Sequence, residues 1–207
     1  MKKYVNKIIE ALEKEYPDPD CSLDYRKPYE LLVSLRLAAQ CTDARVNIVT
    51  PVLFERYPTL ESLAGADDQE VADIVRPCGL GNSKARDIVA TCRMLIDNYG
   101  GVVPDEMDEL LKLPGVGRKT ANLIVGDVYG KPAVVCDTHC IRITNLIGLS
   151  SSKNPTICER ELRAVLPPEK SNDFCHRMVL HGRAVCKARS PRCEMCSIRA
   201  WCAFGDT

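Results

Sequence analysis

The chain has 207 residues, no net charge at neutral pH, 45% hydrophobic residues and only 5% aromatic residues. This length allows one large domain or two small ones, and the hydrophobic fraction excludes an intrinsically disordered protein. Because positive and negative charges balance, binding to a nucleic acid requires a local patch of charge rather than a basic chain.

Helical segments follow one another along the chain and are separated by proline, glycine and capping residues. Apolar residues recur at helical spacing, for example at Leu31, Leu35 and Ala39. The predicted helices run approximately up to 16, then over 28–40, 43–54, 59–64, 67–75, 84–99, 105–112, 119–129, 138–146, 155–166 and 173–187. Ser83 is predicted to cap the 84–99 helix, and Asn172 or Asp173 the last helix. The pattern predicts a mainly α-helical protein.

The segment Leu113–Ala121 reads LPGVGRKTA and joins two predicted helices. Gly115 and Gly117 leave backbone N–H groups uncovered at a helix start, an arrangement that binds anions such as phosphate. Arg118 and Lys119 add two cations where the helix dipole disfavours positive charge, and an uncharged amine is a nucleophile. The segment is either a plain turn between helices or a helix-hairpin-helix that binds DNA phosphates without reading sequence.

Four cysteines near the end of the chain have the spacing C-x6-C-x2-C-x5-C, namely Cys186, Cys193, Cys196 and Cys202. Four thiolates in so short a segment suit either a zinc ion or an iron–sulfur cluster. The spacing matches neither the ferredoxin runs nor the paired zinc knuckles. The other eight cysteines have no comparable spacing, and most of them are predicted to be small buried hydrophobic residues.

Asp137 stands where a helix cap is required, and a capping carboxylate keeps a second oxygen that can stabilise a cation or move a proton. His139 and His181 are interpreted as structural histidines rather than metal ligands. Between Arg177 and Arg199 basic residues outnumber acidic ones, which indicates either a phosphate-binding patch or a solvated helix face. No signal peptide or membrane span is evident, so we expect a cytoplasmic protein.

These features, in this order, resemble the endonuclease III family of base-excision DNA glycosylases. The resemblance extends from about Pro28 to Cys202. The matching segments are AQCTD at 39–43, GLGNSK at 79–84, the hairpin at 113–122, DTH at 137–139, LHGR at 180–183 and the four-cysteine segment. The resemblance implies an all-α helix-hairpin-helix DNA glycosylase fold with a DNA cleft between two domains. A six-helix barrel domain at 22–131 would carry the hairpin at about 105–129, and 1–21 with 132–207 would form a [4Fe–4S] cluster domain.

The resemblance also implies roles for individual residues. Lys119 matches the family's Schiff-base lysine, and Asp137 matches its catalytic aspartate. Gln40 matches the residue that fills the gap left by a flipped nucleotide, and Leu80 matches the wedge in the loop that contacts the opposite strand. Further DNA contacts are implied at Asn82, Gly115, Gly117, Arg118, Thr120, His139, Lys187, Arg189 and Arg192. The cluster ligands would be Cys186, Cys193, Cys196 and Cys202.

The implied activity is that of a bifunctional DNA N-glycosylase and abasic-site lyase that cleaves the strand by β-elimination 3′ to the lesion. Its partner would be double-stranded DNA containing an oxidised pyrimidine or an abasic site, bound by a monomer without a membrane. The alternatives are a monofunctional mismatch adenine glycosylase, whose branch lacks the hairpin lysine, and a non-catalytic iron–sulfur protein that binds damaged DNA. The chain departs from the family pattern at Arg36, Ala38, Cys41, Gly81, Cys136 and Cys140, which leaves the base preference open.

Overall fold

The computed structural model describes residues 4–204, and within these residues the chain forms helices and turns but no β-strand. The α-helices are α1 (Val5–Glu15), α2 (Pro28–Ala38), α3 (Asp43–Arg56), α4 (Leu60–Ala64), α5 (Asp68–Val75), α6 (Gly81–Tyr99), α7 (Met107–Leu110), α8 (Arg118–Leu123), α9 (Thr138–Leu146), α10 (Pro155–Arg163) and α11 (Ser171–Ala184). A π-helical turn at Ile124–Val128 extends α8. The prediction of an all-α fold is confirmed. None of the helices in this part of the chain is long and apolar enough to cross a membrane.

The chain divides into two compact units. One unit is Ser22–Tyr129, and the other joins the chain up to Cys21 with the chain from Gly130 onward. Of the second unit, residues 4–21 and 130–204 are described.

Helix α6 is the centre of the Ser22–Tyr129 unit and packs against α2, α4 and α5. Its apolar residues recur at helical spacing, and Ala85, Ile88, Val89, Cys92 and Leu95 are all buried. A proline in the first turn of α2 fits the helix start, where no N–H is needed. Helix α6 thus forms the packed centre of the unit that carries the hairpin.

In the other unit, α11 packs against α9 and α1. Arg177 of α11 is only 5% exposed. Its guanidinium donates hydrogen bonds to the carbonyls of Tyr16 at 3.0 Å and Pro17 at 3.3 Å. Arg177 therefore holds the chain after α1 against α11 and is not part of a surface patch, although the sequence placed it at the head of the basic run.

Two predicted helix starts are wrong. Helix α6 begins at Gly81 with Leu80 as its N-cap residue, so Ser83 lies inside the helix, where its hydroxyl accepts a hydrogen bond from Arg36 at 3.3 Å. Helix α11 begins at Ser171 directly after a 3₁₀ turn at Pro168–Lys170, so Asn172 and Asp173 lie inside its first turn and no side chain caps it. In both places the helix begins directly after the preceding turn, so the residue that was predicted to cap it lies within the helix instead.

Candidate active site

The glycine-rich turn joins α7 to α8 and places Lys119 as the second residue of α8. Gly117 is the N-cap residue of α8, and no side chain caps this helix. The Thr91 hydroxyl of α6 donates a hydrogen bond to the Pro114 carbonyl at 3.0 Å, which attaches the turn to the body of its unit. Lys119 is exposed, and within residues 4–204 its amine makes no hydrogen bond or ion pair. The amine is therefore available to a molecule outside the chain.

The two glycines of the turn are needed for different reasons. Gly115 has a φ of +71°, and a Cβ there would lie 2.6 Å from Nε of Arg36, so conformation and packing both require glycine. Gly117 has a φ of −104°, which any residue adopts. A Cβ at Gly117 would meet no atom of the described chain within 4 Å. Glycine is favoured over alanine at an N-cap position, and it also leaves room for close approach by a ligand backbone.

Gln40 and Leu80 are the only non-glycine residues with a positive φ among residues 4–204, at +56° and +52°. The left-handed conformation costs such a residue about 1–2 kcal/mol, and strain of this kind concentrates at functional sites. Gln40 is exposed, and Leu80 is 59% exposed. Both strained positions therefore present a large side chain to the outside of the unit.

Lys84 contacts the backbone near both strained positions and is fully buried, with 0% exposure. Its ammonium donates hydrogen bonds to the carbonyls of Leu37 and Cys78, both at 2.8 Å. Those carbonyls come shortly before Gln40 and Leu80, so one side chain supports both loops. Burial lowers the pKa of Lys84. Lys84 is not among the site residues predicted from the sequence, although its place on the apolar face of a helix is a signal for it.

Asp137 is the N-cap residue of α9, and its Oδ1 accepts the N–H of Cys140 at 2.7 Å. The cap leaves the second carboxylate oxygen, which no hydrogen bond within residues 4–204 uses. The ring of His139, in the same turn, packs against Gly182 of α11, where any Cβ would overlap it. Gly182 therefore makes room for His139. This contact gives a packing reason for the DTH segment at 137–139 to occur together with the LHGR segment at 180–183.

The four cysteines of the terminal segment line one cavity of about 290 Å³, and none of them is in a disulfide. The guanidinium of Arg142 donates to Sγ of Cys186 at 3.2 Å and to its carbonyl at 2.6 Å. Nε2 of His181 lies 3.4 Å from Sγ of Cys196. Within residues 4–204, no group of three or more His, Cys, Asp or Glu side chains is arranged to hold a single metal ion. Four free thiols around one cavity are a donor set that suits either a zinc ion or an iron–sulfur cluster.

The same cavity is bordered by the basic residues that the sequence assigned to phosphate contacts. Lys187, Arg189 and Arg192 are exposed and stand between the first two cysteines of the segment. The loop that presents the thiols therefore also presents cations to solvent.

Comparison with known proteins identifies the family. Residues 33–168 match the model of the HhH-GPD superfamily of base excision DNA repair proteins, and residues 186–202 match the iron-sulfur binding domain of endonuclease III. The chain belongs to the endonuclease III family. Endonuclease III of Rickettsia felis is 42% identical over 97% of this chain and 94% of that protein. Endonuclease III of Synechocystis sp. is 43% identical over 97% of this chain and 92% of that protein.

A solved structure agrees with these matches. A trapped endonuclease III–DNA covalent intermediate, in an estranged-adenine complex, superposes with a TM-score of 0.93 at 41% identity. The match covers 100% of this chain and 97% of that one. As a member of the endonuclease III family, this chain is a base-excision-repair DNA glycosylase and abasic-site lyase with a [4Fe–4S] cofactor. The predictions of family, enzyme class, cofactor and DNA partner are confirmed.

Several departures from the endonuclease III pattern have local explanations. Gly81 lies where α6 approaches α5 closely, since a Cβ there would lie 3.0 Å from the carbonyl oxygen of Ala72, tighter than an ordinary contact. Cys136 and Cys140 belong to a buried thiol group that also contains Cys158 and Cys175, with exposures of 8%, 0%, 0% and 2% respectively. Hydrogen bonds from the Cys140 and Cys158 thiols lower the pKa of Cys136 to about 5. The prediction that most of these cysteines are buried is confirmed, since only Cys21 and Cys41 of the eight are half exposed.

Proposed function

We propose that Lys119 is the nucleophile of this glycosylase and lyase and that Asp137 assists it. The observation that carries the proposal is the exposed, unpaired amine of Lys119 placed directly after a turn whose Gly117 leaves open space. Backbone N–H groups at such a turn bind a phosphate, which brings the sugar of a nucleotide beside the amine. The unused carboxylate oxygen of Asp137 is suited to accept the proton of the attacking amine or to stabilise positive charge on the sugar.

The chemistry follows from the amine. Nitrogen of Lys119 attacks C1′ of the extruded nucleotide, the glycosidic bond breaks, and the base leaves with the bonding electrons and takes up a proton. Opening of the sugar ring gives an iminium ion, which acidifies the C2′ hydrogen. Loss of that proton expels the 3′ phosphate oxygen, so the strand breaks 3′ to the lesion. Water then hydrolyses the imine and restores the amine.

Extrusion of the nucleotide needs side chains that occupy the space it leaves. Unstacking a base costs a few kcal/mol, and least where the pair is already weak. The strained backbone at Gln40 and Leu80 supports their assignment as the gap-filling residue and the wedge. We assign further contacts to the hairpin residues Gly115, Gly117, Arg118 and Thr120, to Asn82 and His139, and to Lys187, Arg189 and Arg192. Oxidised pyrimidines and abasic sites are the proposed substrates.

We assign the [4Fe–4S] cluster to the thiolates of Cys186, Cys193, Cys196 and Cys202. The donor set fits, since all four thiols are free and line one cavity. Held by these four thiolates, a cluster would tie them together and hold the loop between them in place. Fixing the loop holds Lys187 and Arg189 in place for phosphate contacts. We propose a cytoplasmic location, because the relatives named above come from bacteria, whose DNA lies in the cytoplasm.

Borohydride trapping tests the nucleophile. Borohydride reduces the iminium ion, so wild-type protein should become covalently attached to a duplex with one abasic site. Lys119→Gln should abolish this adduct. Lys112→Gln is the matched control, because Lys112 is a nearby exposed lysine that is paired with Glu109 at 2.7 Å, and it should trap as wild type does. An adduct that persists in Lys119→Gln, or one lost equally in both variants, would refute the assignment.

The hairpin glycines give a second test. Gly117→Ala should weaken binding to abasic DNA. It should lower the unfolding free energy less than Gly115→Ala does, because a Cβ there meets open space and only the N-cap preference for glycine is lost. Gly115→Ala should lower the unfolding free energy, because its Cβ meets the Arg36 side chain at a positive φ. Unchanged DNA affinity in Gly117→Ala would contradict close approach of DNA at this turn.

A further inference from the structure

One face of α6 carries a polar stripe in an otherwise well-packed helix. Ser83, Asp87 and Thr91 follow at four-residue spacing, so they lie on the same side of the helix. Each has its partner on another element. Arg36 of α2 binds Ser83 and Asp87, and the Pro114 carbonyl of the hairpin accepts from Thr91. The stripe therefore connects α2, α6 and the hairpin turn.

Arg36 forms the ionic part of this connection. Its Nε donates to Oδ2 of Asp87 at 2.7 Å, and a terminal nitrogen donates to Oγ of Ser83 at 3.3 Å. The side chains of Arg36 and Asp87 are 17% and 29% exposed. A partly buried ion pair of this kind is sensitive to removal of one partner, because the remaining charge stays desolvated without compensation.

Gly115 lies directly on this ion pair. A Cβ at Gly115 would lie 2.6 Å from Nε and 2.7 Å from Cδ of Arg36, and 2.9 Å from Oδ2 of Asp87. The contact thus involves the paired atoms themselves, at the point where the positive φ redirects the chain toward α8. If either side chain moves, the turn loses the surface on which it rests.

We infer that Arg36 and Asp87 are positioning residues for the reaction, because their ion pair supports Gly115 and thereby sets the position of Lys119 relative to the bound strand. This role rests on the proposed function of Lys119. Lys119 follows Gly115 by four residues, within the first turn of α8. A displaced turn therefore displaces the amine. Misplacing a reacting group by about 1 Å lowers a rate by about 100-fold, so small shifts of the support are visible in the rate.

The test uses Arg36→Leu, Asp87→Asn, the double variant and Arg36→Lys, each as the cluster-containing full chain. Two quantities are measured, the single-turnover rate constant of adduct formation at saturating abasic duplex, and the Kd for a duplex with a non-reactive tetrahydrofuran abasic analogue. Each single variant should lower the rate constant by about tenfold or more, with a smaller change in Kd. The double variant should lose less than the product of the two single losses, since no lone charge remains under the turn. Arg36→Lys, which keeps the charge, should recover most of the rate.

Two controls separate positioning from stability. Arg56→Leu removes an ion pair of the same unit that is 62% and 57% exposed, and should leave the rate unchanged. Val71→Ala opens a cavity at a residue with 0% exposure and lowers the unfolding free energy. Val71 belongs to α5, which packs against α3 and α6. Rates are compared at a temperature where every variant is folded.

The outcomes are distinct. Rate losses in Arg36→Leu and Asp87→Asn that are no greater than in Val71→Ala would overturn the inference and make the pair purely structural. If Arg36→Leu does not fold, Asp87→Asn and Arg36→Lys decide by the same comparison. Normal rates in the pair variants together with loss of the adduct in Lys119→Gln would overturn the positioning role alone. An adduct that survives in Lys119→Gln refutes the proposed function itself.

Discussion

The left-handed backbone at Leu80 allows a test in which the usual ranking of alanine and glycine reverses. In Leu80→Ala the Cβ remains at a φ of +52°, which costs about 1–2 kcal/mol. In Leu80→Gly that cost disappears. The unfolded chain of this variant gains backbone freedom, however, which lowers the unfolding free energy by about 0.4–1 kcal/mol. Leu80→Gly should therefore unfold with a free energy about 1 kcal/mol higher than that of Leu80→Ala.

Ile48 is the matched control. It is exposed to 64% and lies within α3, where glycine is about 1 kcal/mol less favourable than alanine. Urea unfolding of the four variants, followed by far-UV circular dichroism under anaerobic conditions, gives both differences from shifts in midpoint at constant slope. Glycine should be the more stable variant at Leu80 and the less stable one at Ile48.

The same variants report on function. Both Leu80→Gly and Leu80→Ala should excise a base from duplex DNA more slowly than wild type, because neither variant has a side chain large enough to enter the base stack. The gain in stability of the glycine variant should not restore activity, which is the expected trade-off at a strained functional position. If alanine is the more stable residue at both sites, the backbone at Leu80 is not strained. Wild-type excision by Leu80→Gly would show that the side chain is not a wedge.

Three further predictions concern buried polar groups. Between pH 5 and 9 Cys136 should be a thiolate in the folded protein and a thiol in the unfolded chain. The unfolding free energy should therefore rise with pH across this window, by at most about 1.4 kcal/mol per pH unit. This rise should be absent in Cys136→Ser, and equal slopes in both proteins would contradict the lowered pKa of Cys136. Lys84→Met should lower the unfolding free energy by about 1–3 kcal/mol, because two buried carbonyls lose their donor, and an unchanged urea midpoint would refute this. Arg142→Leu removes the hydrogen-bond donor to Sγ of Cys186. Because a supporting hydrogen bond to a cluster ligand is lost, the visible absorbance of the cluster should decay faster in air than in wild type. Equal decay rates would contradict a stabilising role for this hydrogen bond.

The features that the sequence predicted well are those set by residues close together in the chain. Helical periodicity, the turn around Gly115 and the cap at Asp137 are each indicated by residues a few positions apart, and the structure contains all three. The segment from Cys186 to Cys202 was recognisable for the same reason, since its spacing alone indicated a sulfur-ligated metal centre. Lesion preference stays open because it depends on the walls of a nucleotide pocket.

The features that the sequence predicted poorly depend on partners far along the chain. Ser83 is a good capping residue by type, yet its hydroxyl is used by Arg36, 47 positions earlier. Arg177 belongs to a basic run by position, yet it binds carbonyls 160 and 161 residues away. A run of basic residues does not by itself show which of its cations is buried, since Arg177 is buried and Arg189 of the same run is exposed.

Lys84 shows how such a distant contact relates to function. A residue held in the left-handed region returns to a relaxed conformation unless the surrounding structure prevents it. The carbonyls of Leu37 and Cys78 lie three residues before Gln40 and two before Leu80, and the same ammonium binds both at 2.8 Å. Fixing these two points limits how far either loop can relax. The buried Lys84 side chain therefore maintains strain at the two positions that we propose contact DNA. Removing it in Lys84→Met should slow base excision by more than the loss in folded fraction explains.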